Sequence, residues 1–143
     1  YTPYVIETSI GLDRMFLAMF SYAYTEEKLE DGSERVVMKL PPILAPYKVA
    51  ILPLVKKDGL PEKAREIMDS LQYDFMCQYE EKDSIGKRYR RQDAIGTPLC
   101  VTVDNDTLVD NTVTVRDRDT MEQIRVNVNE LHEIIRKKIS PKR

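Results

Sequence analysis

At 143 residues, 42% hydrophobic and 32% charged, the chain can bury the core of one ordinary domain, which excludes intrinsic disorder. Its apolar runs fall short of the roughly 20 residues that a membrane-spanning helix needs. A net charge of −2 gives no bulk attraction to nucleic acid.

The chain opens at Tyr1 rather than Met, with no basic-then-apolar leader, so the expectation is a piece of a longer protein without a visible signal peptide. Residues 4–9 read as a short strand running into Gly11. Leu12, Met15, Phe16, Met19, Phe20 and Ala23 then recur at helical spacing. The pattern fades in the charged stretch 26–35, where Asp31-Gly32-Ser33 signals a turn, and 36–40 suits a brief strand. Pro41, Pro42 and Pro46 punctuate the chain, which places a boundary between about Thr25 and Pro46.

Beyond Pro46 strands and helices alternate. The run 48–54 suits a buried strand. Residues 60–71 read as a helix with Pro61 in its first turn, where a missing N–H costs nothing. Strands are expected at 73–79, 98–103, 111–117 and 123–128. A helix capped by Ser84 is expected to run to about Ala94, and a last helix to start at Asn129 with Leu131, Ile134, Ile135 and Ile139 on one face. Strands separated by helices pair in parallel through right-handed crossovers, and the adjacent later strands add antiparallel. The body is therefore an α/β fold, a mixed five-stranded sheet flanked by three helices.

Three segments carry chemistry. In Glu7-Thr8-Ser9-Ile10-Gly11-Leu12-Asp13-Arg14, a strand puts a carboxylate and a hydroxyl on one side, and a helix opens with an arginine. That suits an ammonium group beside a phosphate, and equally a plain strand-to-helix turn with surface charges. Around Lys87, Arg88, Arg90 and Arg91, four basic residues within five positions, with Tyr89 among them, suit an RNA backbone or a solvated basic helix. The segment is no phosphate-binding P-loop, because Glu81 stands where the leading glycine belongs and Arg88 where Ser or Thr belongs. In the stretch 112–125, alternating Arg and Asp suit cross-strand ion pairs or base reading. Arg136, Lys137, Lys138, Lys142 and Arg143 form a basic tail. Cys77 and Cys100 lie outside any Cys-x-x-Cys spacing, and His132 is the one histidine. No metal site is expected, and both thiols read as reduced strand residues.

Glu-x-Ser-x-Gly-x-x-Arg before an apolar helix resembles the third signature motif of class II aminoacyl-tRNA synthetases. The form PYVIETSIGLDRMFLAMF is similar to the glycyl-tRNA synthetases in particular, although Thr8 stands where that family commonly has proline. The segments GKRYRRQDAIGTP and TVTVRDRDTMEQIRV resemble the same family, so the likeness covers nearly the whole chain. The resemblance implies that residues 1–25 end the catalytic domain, 26–45 connect, and 46–143 form the anticodon-binding domain. It places Glu7, Thr8, Ser9, Ile10 and Gly11 at the glycine pocket, and Gly11, Leu12, Asp13 and Arg14 at ATP, with Arg14 on the phosphates.

Glycine codons begin GG, so the matching anticodon bases are two cytosines. A cytosine edge offers an amino donor and two acceptors, which calls for a carboxylate beside guanidinium or amide donors. Arg116, Arg118 and Arg125 with Asp119 and Glu122 are the expected readers, and Lys87, Arg88, Arg90 and Arg91 the expected backbone contacts. The implied whole enzyme joins glycine to tRNA(Gly) with ATP and magnesium, as a cytoplasmic homodimer without a membrane partner. This chain alone, lacking the first two signature motifs, is expected to hold no cofactor and to be inactive. Two other classes compete: an accessory tRNA-binding or polymerase subunit of the same fold, and a doubly wound nucleotide or flavin binder. The latter wants a Gly-rich loop directly after the first strand, and the 48–54 strand runs instead into Val55-Lys56-Lys57-Asp58-Gly59.

Overall fold

The computed structural model describes residues 1–140. The first eleven residues form no strand, and Val5 and Ile6 are 80% and 98% exposed. A strand exists only within a ladder, and no other described segment pairs with 4–9, so the expected strand is absent. Helix α1 (Leu12–Ala23) follows as its spacing predicts, with Phe16 and Phe20 stacked at 5.6 Å one turn apart. It runs directly into β1 (Tyr24–Lys28), which pairs antiparallel with β2 (Glu34–Met38). The expected turn joins them, with Gly32 at φ 78°. Strand β1 escapes sequence reading because YTEEK is mostly charged and only half-buried on alternate residues.

The larger unit holds β3 (Val49–Pro53), α2 (Leu60–Leu71), β4 (Cys77–Tyr79), α3 (Ile85–Ile95) and β5 (Leu99–Val103). It continues through α4 (Asn105–Asp110), β6 (Thr112–Asp117), β7 (Gln123–Asn127) and α5 (Leu131–Ile139). The sheet order is β4-β3-β5-β6-β7, with β4, β3 and β5 parallel and β6 and β7 antiparallel, as expected. Strand β4 is shorter than 73–79 because residues 72–75 turn off the end of α2. Four helices rather than three accompany this sheet. The extra one, α4, has six residues, too few to show a period. Asp104 and Thr107 fix its start by reciprocal caps: Asp104 Oδ1 accepts from Thr107 N (3.2 Å), and Thr107 Oγ1 accepts from Asp104 N (3.1 Å).

Ser84 sits at the N-cap of α3 but its side chain makes no capping bond. Asn129 does not cap the last helix: Asn127 Oδ1 accepts from Asn129 N (3.0 Å) to cap a 3₁₀ turn at 128–130, which leads into α5 with Glu130 at its N-cap.

Strand alternation divides the sheet into two faces. On one, Val49, Ile51, Val101, Val103, Val113 and Val115 pack with Leu60, Ala64, Ile67 and Leu71 of α2 and Leu131 and Ile135 of α5. Each such fully buried side chain contributes about 1.5–3 kcal/mol. On the other face, Ala50, Leu52 and Cys100 meet Ile85 and Tyr89 of α3. Helix α3 also packs against β2, so the β1–β2 hairpin lies against the sheet domain. Gly96 ends α3 at φ 92°, where an added Cβ would stand 2.9 Å from the Met38 carbonyl oxygen. Only glycine lets the hairpin approach this closely. Among the described residues, no helix is long and apolar enough to cross a membrane.

A candidate nucleic-acid interface on the open sheet face

Burial divides the arginines expected to meet RNA. Arg116 of β6 is 5% exposed and grips Asp93 of α3 with both terminal nitrogens, Nη1 to Oδ1 at 2.8 Å and Nη2 to Oδ2 at 3.0 Å. The Asp93 pairing outweighs burial, which opposes the charge, and raises the Arg116 pKa. Arg118 is 2% exposed. Its Nη1 donates to the carbonyls of Gly96 (2.8 Å) and Met38 (3.1 Å), and its Nε to Asp119 Oδ1 (2.8 Å). Arg88, 2% exposed, donates to the carbonyls of Pro53 (2.6 Å), Leu54 (3.1 Å) and Glu80 (3.3 Å).

These three guanidiniums lock α3, the sheet and the hairpin together. Arg116, Arg118 and Arg88, expected to meet RNA, are committed to these interior partners in this structure. Five donors in a planar fork suit an arginine equally to a base edge and to converging backbone carbonyls. Sequence alone does not separate the two uses.

The remaining expected residues lie nearer the surface. Arg91 pairs with Glu80 and with Asp83 (2.8 Å), and Arg90 donates to Ser33 Oγ (3.2 Å). Lys87 and Glu122 are exposed, and Asp119 is exposed but held by Arg118. Arg136 and Lys137 are exposed on the last turns of α5, while Lys138 pairs with Asp117. Lys142 and Arg143 lie outside the described residues.

The structure assembles a different group from those expected. Beyond the cover of α3, the second sheet face continues as a polar surface. Thr102, Thr114 and Arg125 form one cross-strand row, and in the next only Gln123 is exposed, beside Arg116 and Cys100, which lie under α3. Here lies a groove of about 280 Å³, walled by Tyr89, Thr102, Asp104, Thr114 and Gln123 over Leu54 and Ile85. It opens at the carboxyl end of parallel strand β5, where open α/β sheets take ligands.

Arg125 holds one of these walls, Asp104, in place. Its Nη2 donates to Asp104 Oδ1 (2.8 Å), its Nη1 to Oδ2, and its Nε to Thr112 Oγ1 (2.7 Å). The guanidinium beside Asp104 holds that carboxyl below the usual carboxylate range, so it stays ionised as an acceptor. Tyr89 and Thr102 share a 2.6 Å hydroxyl bond. The Gln123 amide is exposed. The groove therefore offers a carboxylate, a free amide and hydroxyls above an apolar floor, which suits the edge and face of an unpaired base.

Sequence reasoning missed Asp104, Thr114 and Gln123. The available signal was the position of Asp104 at the end of a parallel strand, together with the Thr-Val-Thr-Val alternation. A larger cavity of about 500 Å³ lies on the other sheet face between β6, β7 and α5. Leu99, Val115, Ile124 and Ile134 line it together with Asp117, Thr120, Glu122, Lys137, Lys138 and Ser140.

The expected glycine and ATP residues, Glu7, Thr8, Ser9, Ile10, Gly11, Leu12, Asp13 and Arg14, are all exposed. Residues 7–11 have no regular structure, and 12–14 form the first turn of α1. They enclose no site. Among the described residues, no group of three His, Cys, Asp or Glu side chains is placed to hold a metal ion.

A mixed α/β domain with a polar sheet face beside a basic helix has the build of a nucleic-acid-binding module. Residues 48–138 match the family described as the anticodon binding domain, and the chain belongs to that family. Over nearly its whole length it is also similar to glycine–tRNA ligases. It is 56% identical to that of Borrelia hermsii over 139 residues, which is 97% of this chain and 31% of the relative. It is 54% identical to that of Clostridium tetani over 97% of this chain and 30% of the relative, and 56% identical to that of Geobacillus thermodenitrificans over 98% and 30%. The chain spans about a third of the length of these curated relatives.

Proposed function

We propose that the chain is the carboxy-terminal part of a glycine–tRNA ligase and that residues 46–143 bind the anticodon loop of tRNA(Gly), reading its cytosines in the groove on the open sheet face. The observation that carries this is the placement of Asp104, Gln123 and Thr114 around one base-sized groove. Asp104 accepts from the cytosine amino group. The Gln123 amide and the Thr114 hydroxyl donate to its ring nitrogen and carbonyl. Tyr89 lies alongside the base. Arg125 holds the Asp104 carboxylate toward the groove, and Lys87 of α3 meets phosphate.

In the whole protein, residues 1–25 complete a catalytic domain that activates glycine with ATP and magnesium and passes it to the tRNA. The protein acts as a cytoplasmic homodimer. The exposed apolar residues Val5, Ile6, Leu12, Phe16 and Leu17 support that placement, because they lack cover within this chain and suit packing against further sequence.

The test is a binding titration with the glycine-tRNA anticodon stem-loop against one whose two cytosines are replaced by uridines. Tighter binding of the cytosine form by about tenfold or more supports the reading, and equal binding refutes it.

A further inference from the structure

Asp93 lies wholly buried on α3 and serves two arginines from different elements. Arg35 of β2 reaches it through Nη1 at 3.0 Å, and Arg116 of β6 grips it with both terminal nitrogens. Arg35 has a second carboxylate, Glu27, at 2.7 Å. Arg116 has Asp93 alone among the described contacts. The far side of the Arg116 guanidinium stands 4.8 Å from the centre of the Tyr89 ring, whose hydroxyl is tied to Thr102.

A buried ion pair is seldom a better source of stability than apolar side chains of equal volume, because desolvation offsets the attraction. What the bidentate grip does supply is orientation. It fixes the plane of the guanidinium, and a planar cation against an aromatic face fixes the ring. Tyr89 is a wall of the groove.

We propose that Asp93 and Arg116 are positioning residues for base recognition, Asp93 orienting the guanidinium and the guanidinium holding the Tyr89 ring at the angle against which a cytosine is read. This rests on the reading of the groove as the base site. The Arg35 arm of the same carboxylate touches neither Tyr89 nor the groove, and so supplies an internal control.

The experiment compares Arg116→Lys and Arg35→Lys in the full chain, using cytosine and uridine stem-loops at several salt concentrations. Lysine keeps the charge opposite Asp93 but cannot bind both oxygens or lie flat against a ring. Arg116→Lys is expected to bind the cytosine stem-loop about tenfold more weakly, with uridine binding and the salt slope unchanged. Arg35→Lys is expected to lower the melting temperature and keep the preference within about twofold of the unmodified chain. An unchanged preference in Arg116→Lys, or equal loss in both lysine variants, overturns the positioning role.

If Arg116→Lys does not fold, Tyr89→Met decides, because it removes the ring and leaves the ion pair. Loss of preference supports the proposal, and retained preference overturns it. No cytosine preference in the unmodified chain would overturn the groove reading and this pair with it. A preference untouched by Arg116→Lys would overturn the pair alone.

Discussion

At the scale of single residues, burial decides which charged side chains are free to meet a partner. Arg116 and Asp104 illustrate the two outcomes. The first is spent on an interior carboxylate, and the second is held at the rim of a groove with its charge intact. Asp104→Asn replaces one acceptor oxygen with a donor while keeping the cap geometry. It is expected to lower the cytosine preference by about 1–3 kcal/mol in the paired titration, and Gln123→Ala to act in the same direction.

The Asp104 carboxyl is depressed by Arg125, so the stability it contributes is present above the ordinary carboxylate range and is lost as pH falls through its lowered value. The cytosine preference should accordingly stay flat between about pH 5.5 and 8.5. Marked weakening within that window, measured by repeating the titration, would show that another group controls reading. The two thiols are inert by the same kind of reasoning. Burial pushes Cys77 up to about 11 and Cys100 up to about 12. Neither should react with an alkylating reagent at about pH 8 until the chain is unfolded, which mass spectrometry would check.

At the scale of elements, the β1–β2 hairpin shows what periodicity misses. Residues 26–45 read as a charged connector, yet β2 lies against α3, and Arg35 enters the interior to meet Asp93. The glycines at the two hairpin contacts separate backbone strain from crowding. Gly32 and Gly96 both have positive φ, but an added Cβ meets nothing within 4 Å at Gly32 and the Met38 oxygen at 2.9 Å at Gly96. Gly32→Ala is expected to cost about 1 kcal/mol. Gly96→Ala is expected to cost about 1–3 kcal/mol beyond that, as read by denaturant unfolding. Equal losses would mean that the hairpin is free to shift away from α3.

The elements with strong periodicity, α1, α2, α3 and the apolar strands, were legible within a few residues. Strand β1 and helix α4 were not, because one is charged on both faces and the other spans six residues. The strand expected at 4–9 failed for a different reason, since a ladder needs a partner that the described residues do not provide.

At the scale of the whole molecule, the mixed parallel and antiparallel pairing of the five strands was legible in sequence, because helical crossovers and adjacent runs constrain direction strongly. The site did not follow so directly. Type and spacing are all that sequence shows of a charged residue, whereas its use depends on which sheet face it occupies and what covers it. Arg125, expected to read a base, directs its donors to Asp104, Thr112 and Thr114. The recognising groups proposed now are its partner and its strand neighbour. The exposed run from Glu7 to Arg14 encloses no pocket, so the purified chain should show no ATP-dependent exchange of labelled pyrophosphate. Measurable exchange would mean that these residues assemble a site unaided.

Where RNA lies on the domain is read most directly by nuclear magnetic resonance mapping of backbone amides during titration with the glycine-tRNA anticodon stem-loop. Shifts concentrated at Thr102, Asp104, Thr114, Gln123 and Arg125, and weaker with the uridine form, are the predicted result. Shifts confined to the β6–β7 turn at 117–122, or to the cavity between β7 and α5, would contradict it.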